Sequence, residues 1–168
     1  MVETTLKQLD SWYTEPTQGG YRPKLLSKLA ILELCGWLEG EFDRLVLVVE
    51  QGRLADPEWV KANVISKTSG FQYDSHWRAM LSRLVGEVFA RRVEKKMEAM
   101  FPGDLERLKT TLGTLWKIRC DFAHADMAAH IAAQQTFRAP SWSLNQHRTL
   151  KKLLAQYEQA MLAVLVTI

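Results

Sequence analysis

Asp104-Leu-Glu-Arg-Leu-Lys-Thr-Thr-Leu-Gly-Thr-Leu-Trp-Lys-Ile-Arg-Cys-Asp-Phe-Ala-His124 decides the fold class of this chain. Leu105, Leu108, Leu112 and Leu115 recur at spacings of three and four, which lines one face of an α-helix and cannot line one face of a strand. Pro102-Gly103 marks the stop before it. The same period returns in three other long stretches: from Lys24 to about Glu50, from about Asp74 to Met100, and from Ser143 to about Val166. These stretches predict an all-α fold, a bundle of four to five helices running up and down, with short accessory helices attached.

Upstream, Ile31, Leu34, Leu38, Phe42, Leu45 and Val49 form the buried stripe of the first long helix, and Leu25, Leu26, Leu29 and Leu32 are expected to broaden it. Gly36 and Gly40 would let a neighbouring helix approach closely. A short helix over 3–13, with Leu6, Leu9, Trp12 and Tyr13 on its apolar side, precedes the breakers Pro16, Gly19, Gly20 and Pro23. Gly52 ends the long helix. Asp56-Pro57-Glu58 then reads as an N-cap with proline at the first helical position, opening a short helix to about Val64. Residues 66–73 read as a polar loop.

The second long helix carries the rows Trp77, Leu81, Leu84, Val88 and Val85, Phe89, Val93, Met97, Met100. Arg78, Arg91, Arg92, Lys95 and Lys96 lie around its other sides, with Glu87, Glu94 and Glu98 making that surface mixed. Residues 125–142 form a connection long enough to be functional or partly helical. Ser143 to Gln146 resembles a capping box for the last helix, whose inward row is Leu150, Leu154, Tyr157, Met161 and Val164. The organisation expected is one domain over 1–168, with the bundle over about 22–166 and a short extension over 1–21.

At 168 residues, with 47 % apolar and 24 % charged residues, the chain suits a single globular core. The net charge of +3 hides an asymmetry. Residues 1–60 hold 6 Lys and Arg against 10 Asp and Glu, whereas 61–168 hold 16 against 9. The later helices therefore carry the positive excess, which suits either a polyanion or simply a solvated face. Cys35 and Cys120 lack metal-ligand spacing and read as reduced thiols, with a disulfide left open. The start of the chain has no signal-peptide pattern, and no apolar run reaches the length of a membrane span, so a cytoplasmic protein is expected. His76, His130 and His147 are dispersed and no His-Glu-x-x-His or Cys-x-x-Cys spacing occurs, so neither a zinc site nor any other cofactor is expected. Neither a glycine-rich phosphate loop nor a hydrolase nucleophile motif is present.

Arg119 and His124 are the candidate catalytic residues. Among eleven arginines and four histidines such a pair arises by chance about one time in four. Its position adds weight, because Arg119 continues the stripe Leu105, Leu108, Leu112, Leu115 and is followed by Phe122. A guanidinium where a core side chain belongs must be paired or must line a cleft. Five residues of ideal helix turn through about 500°, so His124 would point about 140° away from Arg119. The pair can converge only if the helix loosens near Ala123 or if a second subunit completes the site. Lys117, Cys120 and Asp121 flank the pair. Glu39, on the border of its own apolar stripe, is the acidic residue most worth testing. Arg138 and Trp142 are candidates for RNA binding by stacking.

The run Leu115-x-x-x-Arg119-x-x-x-Ala123-His124, with the early helix from Ile31 to Phe42, resembles the HEPN superfamily, nearest its RiboL-PSP-HEPN-like group. The resemblance in helix order covers about residues 22–166, and its specific part is about ten residues. It implies a dimeric, metal-independent endoribonuclease of toxin–antitoxin or phage-defence type, with RNA as substrate and a protein antitoxin or regulator as partner. Two positions depart from the family pattern. Cys120 stands where a polar Asn, Asp or His often follows the arginine. Asp126 stands where toxins silenced by a nucleotidyltransferase have tyrosine. Self-cleavage of RNA through its 2′-hydroxyl needs a base, an acid and positive charge on the phosphorane. A histidine supplies either proton step and a guanidinium supplies the charge. A two-fold dimer would bring two such pairs into one cleft. The competing readings are a catalytically silent module that binds RNA, nucleotide or protein, and a dimerisation module in which Arg119 pairs with Glu39 and His124 caps its helix.

Overall fold

The computed structural model describes residues 1–16, 20–51, 56–124 and 137–167, and among them the protein is all-α, without strands. In chain order the helices are α1 (Val2–Tyr13), α2 (Arg22–Gln51), α3 (Pro57–Val60), α4 (Arg78–Val85), α5 (Glu87–Met100), α6 (Asp104–His124) and α7 (Pro140–Leu165). Two single π-helical turns, Lys61–Ile65 and Tyr73–Trp77, stand between α3 and α4. Contacts divide the chain into two compact units: Met1–Trp37 with Leu115–Thr149, and Leu38–Thr114 with Leu150–Ile168. Gly52 and residues 125–136, which make up most of the connection after α6, lie outside the described residues.

In the first unit, Leu6 and Leu9 of α1 are buried with Leu26 and Ala30 of α2 and Leu144 of α7, and Val2 and Tyr13 pack against them. α1 is thus built into this core. Trp12 is not on its buried side: it is 41 % exposed. Leu26 continues the α2 stripe inward, whereas Leu25 and Leu29 are 50 % and 42 % exposed and do not broaden the buried face as expected. Successive helical positions turn by about 100°, so Leu25 and Leu29 fall outside the arc that Leu26 and Ala30 present to α1. α7 begins earlier than the capping-box reading allows. Pro140 takes the first helical position, where its fixed φ is pre-organised and its missing N–H is not needed. Ser143 is consequently a buried helical residue rather than a cap.

In the second unit, Leu38, Phe42, Leu45 and Val49 of α2 and Leu150, Leu154, Tyr157, Met161 and Val164 of α7 are all buried, as their spacing predicts. The aromatic centre is Trp77, stacked on Phe42 at 4.9 Å and meeting Tyr157 edge-on at 5.6 Å. Phe71 and Tyr73 are also fully buried, so the stretch read as a polar loop supplies two core side chains. Asp56 caps α3 as predicted, its Oδ1 accepting from the Trp59 N–H at 3.0 Å.

The stretch 74–100 is not one helix. Gly86 has φ 86° and ψ 159°, a conformation open in practice to glycine alone, and it ends α4 and starts α5. The break changes which side chains face inward. Phe89, Ala90, Val93 and Met97 are buried, while Val88 and Met100, expected on the apolar rows, are exposed. Gly36 and Gly40 do not serve a close helix contact either: a β-carbon at either position would meet nothing within 4 Å.

Across the break, Arg78 of α4 donates to Glu87 at the start of α5 and, through Nε, to Glu94 Oε1 at 2.9 Å. Glu94 also accepts from the Tyr73 hydroxyl at 3.1 Å, and that hydroxyl lies 3.3 Å from the hydroxyl of Tyr157. Burial pushes both phenols up, Tyr157 to about 12, so each remains a hydrogen-bond donor at neutral pH. Glu87 also accepts from Arg91 at 2.9 Å and Ser82 at 3.1 Å, and Arg78 first, then Arg91, hold its carboxyl down at about 2.

Two outcomes test this account. Gly86→Ala is expected to lower unfolding free energy by about 1–3 kcal/mol through backbone strain alone, since the new methyl meets nothing. Gly113→Ala, within α6 and equally open, is expected to raise it by about 0.5–1 kcal/mol. Chemical denaturation of the three proteins checks both signs. Glu87, with its depressed pKa, stabilises the fold fully above its ordinary 4.5 and loses that contribution as pH falls towards 2. The stability gap between wild type and Glu87→Gln should therefore be constant near neutrality and close over that acid window in urea titrations.

Candidate functional site

The buried stripe of α6 runs through Leu108, Leu112 and Leu115 and resumes at Phe122. Arg119, at the gap, is half-buried, and its guanidinium carbon sits 5.2 Å from the centre of the Trp116 ring one turn back. The charged head lies on an aromatic face, which lets a long cation occupy such a position without being fully desolvated. Trp116 keeps part of its surface exposed.

Phe122, one turn further on, stacks on Phe137 with ring centres 5.3 Å apart and planes 30° from parallel. That contact ties the segment leading into α7 to the last turns of α6. It also brings in Lys24 of α2, whose ammonium lies 5.5 Å from the Phe137 ring centre. The next residue, Arg138, is exposed and holds its guanidinium carbon 4.7 Å over Trp142 in the first turn of α7. Three of the first unit's cations are thus each set on an aromatic ring: Arg119 on Trp116, Lys24 on Phe137 and Arg138 on Trp142. Arg138 and Trp142, proposed from sequence as separate stacking residues, form one pair. Lys24 had no sequence signal, because nothing local links it to an aromatic residue 113 positions away.

The remaining candidates are distributed as follows. Lys117 and Asp121 are exposed on α6, and Cys120 is a half-buried free thiol; Cys35 is a free thiol too, and buried. α6 stays helical through His124, so of the two routes to convergence the loosening near Ala123 is not seen, and position 124 lies about 140° around the helix axis from position 119. The side chain of His124 lies outside the described part of the structure. Glu39 is half-buried and belongs to the second unit, where Asp43 stands one turn on along α2. Burial, and then the charge of Glu39, push the Asp43 carboxyl up. Sequence reading overlooked Asp43, although the i, i+4 spacing of the two carboxylates was visible. His147, read only as dispersed, is buried in the first unit with its ring edge-on to Trp37 at 4.4 Å.

Among the described residues no group of three or more His, Cys, Asp or Glu side chains is placed to hold a metal ion. None of the described helices is long and apolar enough to cross a membrane. Searches of protein-family models, curated proteins and solved structures give no match to this chain. The HEPN resemblance accordingly rests on the residues themselves.

The Phe122–Phe137 stack is the joint of this arrangement. In a double-mutant cycle, Phe122→Leu and Phe137→Leu are expected to show a coupling of about 0.5–1.5 kcal/mol in unfolding free energy. Strictly additive losses would mean that the segment before α7 is not held on α6 by these rings.

Proposed function

We propose that this protein is a metal-independent RNA-cleaving protein that grips its substrate at the α6 end of the first unit. The observation that carries the reading is the trio of cation–aromatic pairs there. A guanidinium forks onto phosphate oxygens, and a partly exposed indole offers a face to a base, so Arg119 with Trp116 and Arg138 with Trp142 each suit one nucleotide. Arg119 then acts as the phosphate clamp that stabilises the phosphorane, and His124 as the base or acid of the transfer from the 2′-hydroxyl. One histidine does not easily perform both proton steps. A homodimer would place two Arg119–His124 pairs in one cleft, and α6 remaining helical through position 124 favours that route over convergence within one chain. The biological setting that fits is a toxin or phage-defence ribonuclease restrained by a protein partner.

The same helical continuity favours a second reading: a module that binds RNA without cutting it, with Cys120 in place of the polar neighbour of the arginine. Cleavage assays on mixed structured and single-stranded RNA with excess chelator separate the two. Under the first reading cutting persists in chelator, and His124→Ala lowers it by about 10²- to 10⁴-fold with helicity and size unchanged. Arg119→Lys should also lose most activity, because a point charge does not reproduce the bidentate fork. Binding without cutting by wild type across varied RNAs would establish the second reading instead.

A further inference from the structure

α5 in the second unit carries three acids and four bases, which in sequence look like a balanced surface. The structure separates them. Glu87 is taken up by Arg78, Arg91 and Ser82, Glu94 by Arg78 and Tyr73, and Glu98 Oε1 accepts from the backbone N–H of Gly103 at 3.0 Å. Arg91 is likewise occupied, by Glu87. Arg92, Lys95 and Lys96 remain, and among the described residues no carboxylate stands within ion-pair distance of any of the three.

These three cations, with Ala99, occupy positions i, i+3, i+4 and i+7 and so share one side of α5. There they line a shallow recess of about 390 Å³ whose other wall is Val164 and Thr167 at the end of α7. The Thr167 hydroxyl is turned back onto the Val164 carbonyl, donating at 2.8 Å. The recess thus combines an apolar floor with three like charges that no carboxylate among the described residues pairs.

We infer that this recess binds one nucleotide of a single-stranded nucleic acid, with the backbone phosphate against Arg92, Lys95 and Lys96 and the sugar–base portion over Ala99 and Val164. Three cations on one helix side, unpaired among the described residues, match a polyanion, and the apolar floor matches the flat remainder of a nucleotide. A concave site fits a discrete phosphate-bearing unit better than the extended plane of a lipid surface. The choice of RNA as the natural strand rests on the ribonuclease reading; the recess and its preference for a phosphodiester do not.

The test is fluorescence-anisotropy titration of a labelled 2′-O-methyl oligoribonucleotide, which cannot be cleaved through its 2′ position, across a series of salt concentrations. Arg92→Gln/Lys95→Gln/Lys96→Gln is compared with Lys67→Gln/Lys151→Gln/Lys152→Gln, which removes the same charge from exposed positions outside the recess. The recess variant is expected to bind at least about tenfold more weakly, with the slope of log K against log salt shallower by about 0.7, the change for the one lost phosphate contact. The control variant should change affinity less than about twofold. Equal losses in both variants, or none in either, overturn the inference. So does loss of binding to phosphatidylserine vesicles in the recess variant with oligonucleotide affinity intact, which would assign the site to lipid. His124→Ala keeps the two proposals apart: tight, recess-dependent binding without cleavage by wild type leaves the recess standing and removes the ribonuclease. Cleavage that needs His124 while the recess variant binds like wild type does the reverse.

Discussion

Arg78 is the hinge pin of the second unit. A glycine conformation that no other residue adopts comfortably interrupts the helix at Gly86, and a chain free to bend there would have no reason to keep one angle between α4 and α5. Arg78 removes that freedom by reaching from α4 to Glu87 and Glu94 on α5, while Tyr73 reaches Glu94 from the preceding π-helical turn. The guanidinium is planar and its donors are fixed in direction, so two carboxylates on different turns of α5 set its orientation. The buried Trp77, Tyr73 and Tyr157 cluster depends on that orientation, as does the outward direction of Arg92, Lys95 and Lys96.

The first unit solves a different problem with the same residue type. Three of its cations, Arg119, Lys24 and Arg138, lie on aromatic faces. A ring attracts a cation through its quadrupole yet leaves the net charge in place. Such an arrangement positions positive charge without consuming it, which is what a phosphate site requires. Arg44, by contrast, is taken up bidentately by Glu158 at 2.8–2.9 Å and further held by Glu41, and its charge is spent inside the second unit.

The helical class and most buried stripes were legible in the sequence, because burial of one face of a long helix leaves a period of three and four that few other structures produce. The failures have local physical causes. Leu84-Val85 and Val88-Phe89 keep an apolar rhythm across Gly86, so spacing alone reads through a break that only the backbone conformation of glycine permits. Phe71 and Tyr73 sit among Ser, Lys, Thr and Gln, and a core contribution of two residues from an irregular stretch has no period to detect. Leu25 and Leu29 satisfy a helical spacing with each other and with Leu32 but fall on an arc that leaves each about half exposed. At the α6 end, the oddity of Arg119 on an apolar row was visible, whereas its stacking on Trp116 and the Phe122–Phe137 joint are choices of rotamer and of distant pairing that one sequence does not encode locally.

Charge shows the same gap between composition and arrangement. Glu87 to Arg91 at a spacing of four looks like ordinary surface pairing, and with Glu94 and Glu98 it tempers any nucleic-acid reading of α5. Yet a helix face is neutral only if each acid faces the base that follows it. Here Glu94 is drawn inward by Arg78 and Tyr73, away from Lys95 and Lys96, and Glu98 is drawn to the Gly103 amide. The acids that balance α5 on paper are engaged in fixing the break at Gly86 and the turn into α6. What they leave behind is a side of three cations, and that follows from the helix break rather than from the net charge of the segment.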